Sequence, residues 1–321
     1  MTPVVHLGID PNGYPEGAVA HVRDTAPDYE LIVTTDRAEI ESALDRIEVS
    51  LDHFPLDLLP RATNLKWYQQ GGAGADWLLN HPEVRDLNFT LTSASGVHAV
   101  NMSEHMLAYL LALGRGFPAA IRGQRNRVWE ENRQQDLFEL AGKRVLLLGV
   151  GAIGARFATL CRACEMEVVG VRRDPSASVE GAARMVGPEQ LRDELPRTDV
   201  LASTLPHTEE THHLIGREEI ALLKDGAVIV NVGRGGTIDE QAMVEALRSG
   251  KLRGAGLDVF ETEPLPADSP LWEMENVIIT PHYSGLTPHY NERLFDIFVD
   301  NLGRYLRGEA LRNVVDKRLG Y

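Results

Sequence analysis

The hexapeptide Gly149-Val-Gly-Ala-Ile-Gly154 follows the apolar run Val145-Leu-Leu-Leu148 and opens a segment with helical spacing. A glycine-rich turn between a strand and a helix restricts the local fold more than any other stretch of this chain. Gly149 permits the tight turn, Gly151 lets backbone approach a pyrophosphate without an intervening side chain, and Gly154 allows close packing of helix on strand. The first N–H groups of the helix, around Ala152 and Ile153, then face the anion. Such a turn also occurs in unrelated folds, so its meaning depends on its surroundings.

Those surroundings alternate. From residue 145 onward strands are expected at 145–148, 167–171, 199–205, 227–232, 254–259 and 277–280, with helices at 154–163, 217–223 and 239–248 between them. This pattern specifies a parallel sheet with right-handed crossovers and helices on both faces. The first hundred residues repeat it more compactly, with strands expected at 4–9, 31–35, 47–51, 65–69 and 89–92. A long apolar helix starting near Val100 or Asn101 and running to Leu113 should lead from the first part to the second. A helix over 290–305 is long enough to return to the first. The polar stretch 122–136, which contains Trp129, reads as an exposed arm or a subunit contact.

Composition narrows the functional classes. A chain of 321 residues with 43% hydrophobic and 25% charged content has material for two folded domains. No apolar run approaches the ~18 residues of a membrane helix, and Met1-Thr-Pro-Val-Val-His6 lacks the charged start and apolar core of a signal segment. A cytoplasmic protein without membrane contact is expected. The formal charge of -15, with no basic run to offset it, argues against a nucleic-acid partner. Lysine is confined to Lys66, Lys143, Lys224, Lys251 and Lys317, a pattern that fits either a salt-adapted surface or genomic base composition. The only cysteines, Cys161 and Cys164, are too few for a four-thiolate zinc site and are expected to pack. His207, His212 and His213 on a loop read as solvated, and no metal is expected.

Three expected strand ends carry the strongest chemical signal: Asn231-Val-Gly-Arg234, Leu257-Asp-Val-Phe-Glu-Thr-Glu263 and Ile279-Thr-Pro-His282. Ligands of doubly wound sheets lie outside the carboxyl ends of the strands, where these segments converge. Arginine clamps a carboxylate bidentately, histidine exchanges a proton with a hydroxyl or carbonyl oxygen, and a carboxylate orients the imidazole. Arg234, Glu263 and His282 therefore suit one reaction, with a dinucleotide moving the hydride.

In order and in content, Gly149–Gly154, 227–236, 254–266 and 277–282 resemble the D-isomer-specific 2-hydroxyacid dehydrogenase family, and the resemblance extends over nearly the whole chain. It implies an α/β protein with a Rossmann doubly wound parallel sheet at 101–287. A smaller, discontinuous, flavodoxin-like substrate domain would comprise 1–100 and 288–321. It also implies reversible reduction of a 2-oxo acid to a D-2-hydroxy acid by a homodimer. Arg234 would bind the carboxylate and carbonyl, His282 would protonate the carbonyl oxygen, and Glu263 would support His282. Gly72, Ala73 and Gly74 match a loop whose amides bind the substrate carboxylate. Leu205, Pro206, Thr211, Val232, Ser284 and Gly285 would border the dinucleotide together with His282, and Asp258 would sit near the nicotinamide. Glu104 and His105 fall in the crossover and read as structural, with His98 a pocket candidate.

Cofactor choice turns on the end of the second strand, where Val171 is followed by Arg172-Arg173-Asp174. Arginine in that slot suits a 2′-phosphate, which favours NADP(H). Asp174 lies at the nominal spacing for a ribose hydroxyl, which keeps NAD(H) open. Glyoxylate, hydroxypyruvate and larger 2-oxo acids all remain substrates to consider. The glutamate at 263 argues against the formate dehydrogenase branch, which usually has an amide there. A phosphoglycerate dehydrogenase-like enzyme and a dinucleotide-sensing corepressor are the alternatives; the short chain beyond the returning helix speaks against a regulatory domain, and the absence of basic tails against the corepressor.

Overall fold

Two separate apolar alternations become two parallel sheets in the computed structural model, which describes residues 2–129 and 134–320. The chain divides into two compact units, Met1–His98 with Thr287–Tyr321, and Ala99–Leu286.

The first unit contains β1 (Val4–Gly8), α1 (Ala18–Thr25), β2 (Glu30–Val33), α2 (Arg37–Ala43), β3 (Ile47–Asp52), β4 (Trp67–Gln69) and β5 (Thr90–Thr92). Its sheet has the order β2-β1-β3-β4-β5, with every pairing parallel. That is the flavodoxin-like arrangement. Apolar side chains are buried on both faces, as parallel sheets require: Ile40, Leu58 and Leu91 lie in one cluster and Leu7, Trp67 and Phe298 in another.

The second unit begins with α3 (Ala99–Gly114) and α4 (Phe117–Asn126), separated by Gly116 at φ +68°. The sheet elements follow: β6 (Arg144–Leu148), α5 (Ala152–Ala163), β7 (Glu167–Val171), β8 (Arg184–Val186), α6 (Leu191–Glu194), β9 (Val200–Ser203), α7 (Arg217–Leu222), β10 (Ala227–Asn231), α8 (Glu240–Ser249), β11 (Leu252–Leu257) and β12 (Val277–Ile279). Strand order is β12-β11-β10-β9-β6-β7-β8, again all parallel. The order reverses at β6, where the chain turns outward in both directions and opens the crevice that doubly wound sheets use for ligands. The returning helix α9 (Tyr290–Leu306) belongs to the first unit, where Phe298 stacks on Trp67 at 5.2 Å.

The stretch expected as an exposed arm is in part the end of α4; residues 130–133 within it lie outside the described residues. Cys161 is buried and Cys164 half-buried, and both are free; burial pushes the Cys161 thiol up to about 12, which makes it a packing residue. Among the described residues, no helix is long and apolar enough to cross a membrane.

Candidate active site

The turn after β6 has the geometry its glycines suggest. Gly149 adopts φ +78°, a conformation that suits glycine, and its carbonyl accepts a bond from Thr204 Oγ1 at 2.6 Å. A Cβ on Gly154 would fall 2.5 Å from the Gly149 carbonyl oxygen, so glycine is what lets α5 start so close to the strand. Nothing lies within 4 Å of a Cβ built on Gly151, and the first N–H groups of α5, at Ala152 and Ile153, have no acceptor within the helix. Open space bounded by unpaired donors at a helix N-terminus fits a pyrophosphate.

The residues after β7 separate into three environments. Arg172 is half-buried, and its guanidinium makes no hydrogen bond or ion pair to the described residues. Arg173 pairs with Glu210 at 3.0 Å. Asp174 accepts the Ser176 N–H at 3.0 Å, and hydrogen bonding to Ser176 holds its carboxyl below the usual range. The carboxylate at the nominal ribose position is thus engaged in its own turn.

Beyond β9, β10 and β11 the loops touch in succession. A Cβ on Gly233 would lie 2.6 Å from the Leu205 carbonyl oxygen, and one on Gly235 would lie 1.9 Å from the Phe260 carbonyl carbon. Arg234, half-buried between these glycines, donates from Nη1 to the Gly233 carbonyl at 2.8 Å. Its own carbonyl accepts from Asn231 Nδ2 at 3.1 Å and Thr237 Oγ1 at 2.7 Å, which fixes the loop. Glu263 accepts the Phe260 N–H on Oε1 at 3.0 Å, and its Oε2 lies 2.6 Å from His282 Nδ1. A carboxylate only accepts, so the Nδ1 proton belongs to this bond.

Asp258, expected near the nicotinamide, lies just beyond the end of β11. It is fully buried, and its carboxylate accepts from Thr280 Oγ1 at 2.5 Å and from the N–H groups of Tyr283 at 3.1 Å and Ser284 at 3.1 Å. Three donors of the loop after β12 thus close over its carboxylate. Val232 is also buried, in the core. Ser284 is nearly so; its Oγ finds no partner among the described residues, while its carbonyl accepts from Asn101 Nδ2 at 2.7 Å. Gly285 follows it, half-buried. Thr211 braces the loop through a bond to the Pro206 carbonyl at 2.7 Å.

Of the remaining histidines, His207 Nε2 lies 3.1 Å from His212 Nδ1, His213 stacks on His212, and His213 Nε2 lies 2.8 Å from Glu261. His105 reaches Thr280 Oγ1 at 3.1 Å, while Glu104 is exposed. In the first unit, His98 packs against the ring of Tyr290.

The loop at Gly72, Ala73 and Gly74 lies wholly in the first unit. Gln70 Nε2 donates to the Gly72 carbonyl at 2.9 Å and the Gly74 carbonyl at 2.8 Å, and Trp77 Nε1 holds the Gln70 oxygen at 2.7 Å. The carbonyls are thereby pinned, and the three N–H groups donate to none of the described residues. Sequence reasoning does not single out Gln70 and Trp77. The loop sequence shows the glycines, whereas the bracing becomes visible only when β4 and the segment after it are folded.

A doubly wound sheet with a pyrophosphate-shaped turn and a carboxylate–histidine pair at neighbouring strand ends defines a dinucleotide-dependent class of α/β protein. Residues 107–284 match the family model described as D-isomer specific 2-hydroxyacid dehydrogenase, NAD binding domain. Among similar sequences, D-3-phosphoglycerate dehydrogenase of Methanocaldococcus jannaschii is 36% identical over 81% of this chain and 49% of its own length. Glyoxylate/hydroxypyruvate reductase B of Yersinia pestis is 35% identical over 68% of each chain. Among solved structures, a D-isomer specific 2-hydroxyacid dehydrogenase from Xanthobacter autotrophicus, in complex with NADPH and MES, has a TM-score of 0.83 at 30% identity and covers 100% of both chains. An NADPH-dependent glyoxylate/hydroxypyruvate reductase from Sinorhizobium meliloti, in complex with NADP and sulfate, has a TM-score of 0.81 at 31% identity, also with 100% coverage of both. The chain belongs to the D-isomer specific 2-hydroxyacid dehydrogenase family. It spans about half the length of the phosphoglycerate dehydrogenases it matches.

Proposed function

We propose that this protein reduces a 2-oxo acid to a D-2-hydroxy acid, reversibly, with NADP(H) as its preferred dinucleotide. The observation that carries this reading is the 2.6 Å contact of His282 Nδ1 with Glu263 Oε2, beside the strand-end loop that bears Arg234. A reduced nicotinamide bound at this sheet supplies the hydride. The Arg234 guanidinium clamps the substrate carboxylate and sets the direction of the carbonyl. Glu263 fixes the imidazole by accepting from Nδ1, which leaves Nε2 to deliver a proton to the carbonyl oxygen. In the first unit, the amides of Gly72, Ala73 and Gly74, which donate to none of the described residues, are suited to receive a carboxylate.

Gly151, Ala152, Ile153 and Gly154 suit the pyrophosphate, and the Arg172 guanidinium, without a hydrogen bond among the described residues, suits a 2′-phosphate. Two similar structures are complexes with NADPH or NADP, which supports the same choice. Glyoxylate and hydroxypyruvate are the first substrates to assay, since they are named for relatives in both comparisons. Oxidation of NADPH that depends on one of them supports the reading. No oxidation of NADPH or NADH across a panel of 2-oxo acids, by folded protein that binds dinucleotide, overturns it.

We also propose a homodimer, based on the exposed apolar side chains Leu111, Phe117, Ile121, Val128 and Trp129, the last 91% exposed. A monomer in light scattering at assay concentrations contradicts this.

A further inference from the structure

Thr280 is buried just beyond β12 and touches more polar groups than one hydroxyl proton can serve. Its Oγ1 donates to Asp258 Oδ1 at 2.5 Å, lies 3.1 Å from His105 Nε2, and is also bonded to the Tyr109 hydroxyl. Since its proton goes to the carboxylate, its oxygen must accept from both α3 side chains. That assigns the Nε2–H tautomer to His105 and makes Tyr109 a donor. Burial supports both assignments, holding His105 below its usual range and pushing the Tyr109 phenol up. Gly256 makes room for the arrangement: a Cβ there would fall 2.4 Å from Tyr109 Cγ.

The other end of this chain of bonds is the backbone of His282. This residue sits at φ +51°, in a region that non-glycine residues seldom adopt and hold only when their surroundings enforce it. Its N–H donates to the Asp258 carbonyl at 2.9 Å and the Thr280 carbonyl at 3.0 Å. The next two N–H groups, of Tyr283 and Ser284, donate to the Asp258 carboxylate. Three consecutive amides thus close on one buried residue, as in an anion-binding nest. The orientation of that carboxylate is set by Thr280.

We propose that Thr280, held by Tyr109 and His105, is a positioning residue that acts through Asp258 to keep His282 in its left-handed conformation and so aim its imidazole. This rests on the acid/base role given to His282 above. Thr280→Val keeps the shape but removes the donor to Asp258 and the acceptor for two α3 groups. Turnover should fall about tenfold to a hundredfold, because a small misplacement of a reacting group costs that much, while dinucleotide affinity stays within about twofold. Thr280→Ser should recover most of the loss. Tyr109→Phe and His105→Leu, which each remove one outer donor, should lower kcat by a few-fold, and His105→Gln, which restores an N–H, should do so less.

The test measures kcat, KM, dinucleotide Kd and amide exchange at residues 282–284 in the holoenzyme. Lower kcat with faster exchange in Thr280→Val, and recovery of both in Thr280→Ser, is the expected result. Parent-like kcat and exchange in Thr280→Val, or equal losses in the Val and Ser variants, overturns it. If Thr280→Val does not fold, Tyr109→Phe decides: a lower kcat at unchanged Kd supports the inference, and parent-like kcat overturns it. His282→Asn separates this inference from the reading beneath it, since full activity in that variant removes the acid/base role itself.

Discussion

Each unit carries an aspartate at the end of a strand, half-buried in the first and fully buried in the second, and the two are treated differently. Asp258, after β11, receives a hydroxyl and two backbone N–H groups and has no exposed surface. Asp52, the last residue of β3, sits at φ +59° and, among the described residues, has only His53 Nδ1 at 3.1 Å and the Gly71 backbone to support it. Burial therefore pushes the Asp52 carboxyl up, against the opposing pull of those two partners. Both carboxylates adjoin a loop for which a functional role is proposed. A Cβ on Gly71 would fall 2.2 Å from Asp52 Oδ1, just before the Gly72–Gly74 amides, whereas Asp258 lies under the turn that carries His282. The difference separates a satisfied hub that fixes a reacting group from a desolvated charge that costs stability.

The largest effect should come from the residue the hub supports. His282→Asn is expected to lower the reductive kcat by about 10²–10⁴-fold, the usual worth of a general acid, with dinucleotide Kd nearly unchanged in a fluorescence titration. Wild-type turnover would break the comparison at its root, because nothing would then need positioning. Arg172→Asp should reduce kcat/KM for NADPH relative to NADH by about 10–100-fold, corresponding to one or two charge-assisted hydrogen bonds. Equal losses with both dinucleotides would remove Arg172 as the reader of the 2′-phosphate.

Neutralising the two aspartates tests the contrast itself. Asp258→Asn places an amide donor among three donors and should destabilise the fold by about 1–3 kcal/mol in denaturant unfolding. Asp52→Asn should be neutral or stabilising near pH 7. The folded Asp52 carboxyl binds its proton more readily than the unfolded chain does, so its contribution to stability falls as pH rises from about 3.8 through the folded pKa. The advantage of the Asp52→Asn variant should therefore shrink on acidification through that window; an advantage that grows instead would contradict the assignment.

The smallest effect concerns two histidines, one in each unit. His6 bonds Ser50 Oγ and the Thr34 carbonyl, both at 2.9 Å, and burial lowers its pKa, as it lowers that of His105. Ring titration by NMR should give both midpoints below about 6.5. A midpoint above that value for His105 would conflict with its neutral Nε2–H tautomer.

Much of the second unit is readable from its sequence because the residues proposed to carry its function fall in contiguous motifs at strand ends. The glycine turn, Arg234, Glu263 and His282 can all be named from their place after expected strands. Glu263 braces the segment before it through the Phe260 N–H as well as contacting His282. The short edge strand β8, Arg184–Val186, escapes the sequence pattern because three residues, two of them partly exposed, give no alternation to read. The place of Asp258 beyond a strand end is legible in the sequence, but the three donors that close over its carboxylate are not. Thr280, Tyr109, Gln70 and Trp77 are invisible for the same reason: each acts through a partner distant in sequence or through a carbonyl that only the folded loop presents.

Hydride transfer itself is tested most directly with NADPH deuterated at both C4 positions, glyoxylate or hydroxypyruvate as acceptor, and mass analysis of the product. The account predicts one deuterium at C2 of the 2-hydroxy acid and a near-complete loss of product in His282→Asn. A product whose C2 hydrogen comes from solvent, or no product from either acid with folded, dinucleotide-bound protein, would contradict it.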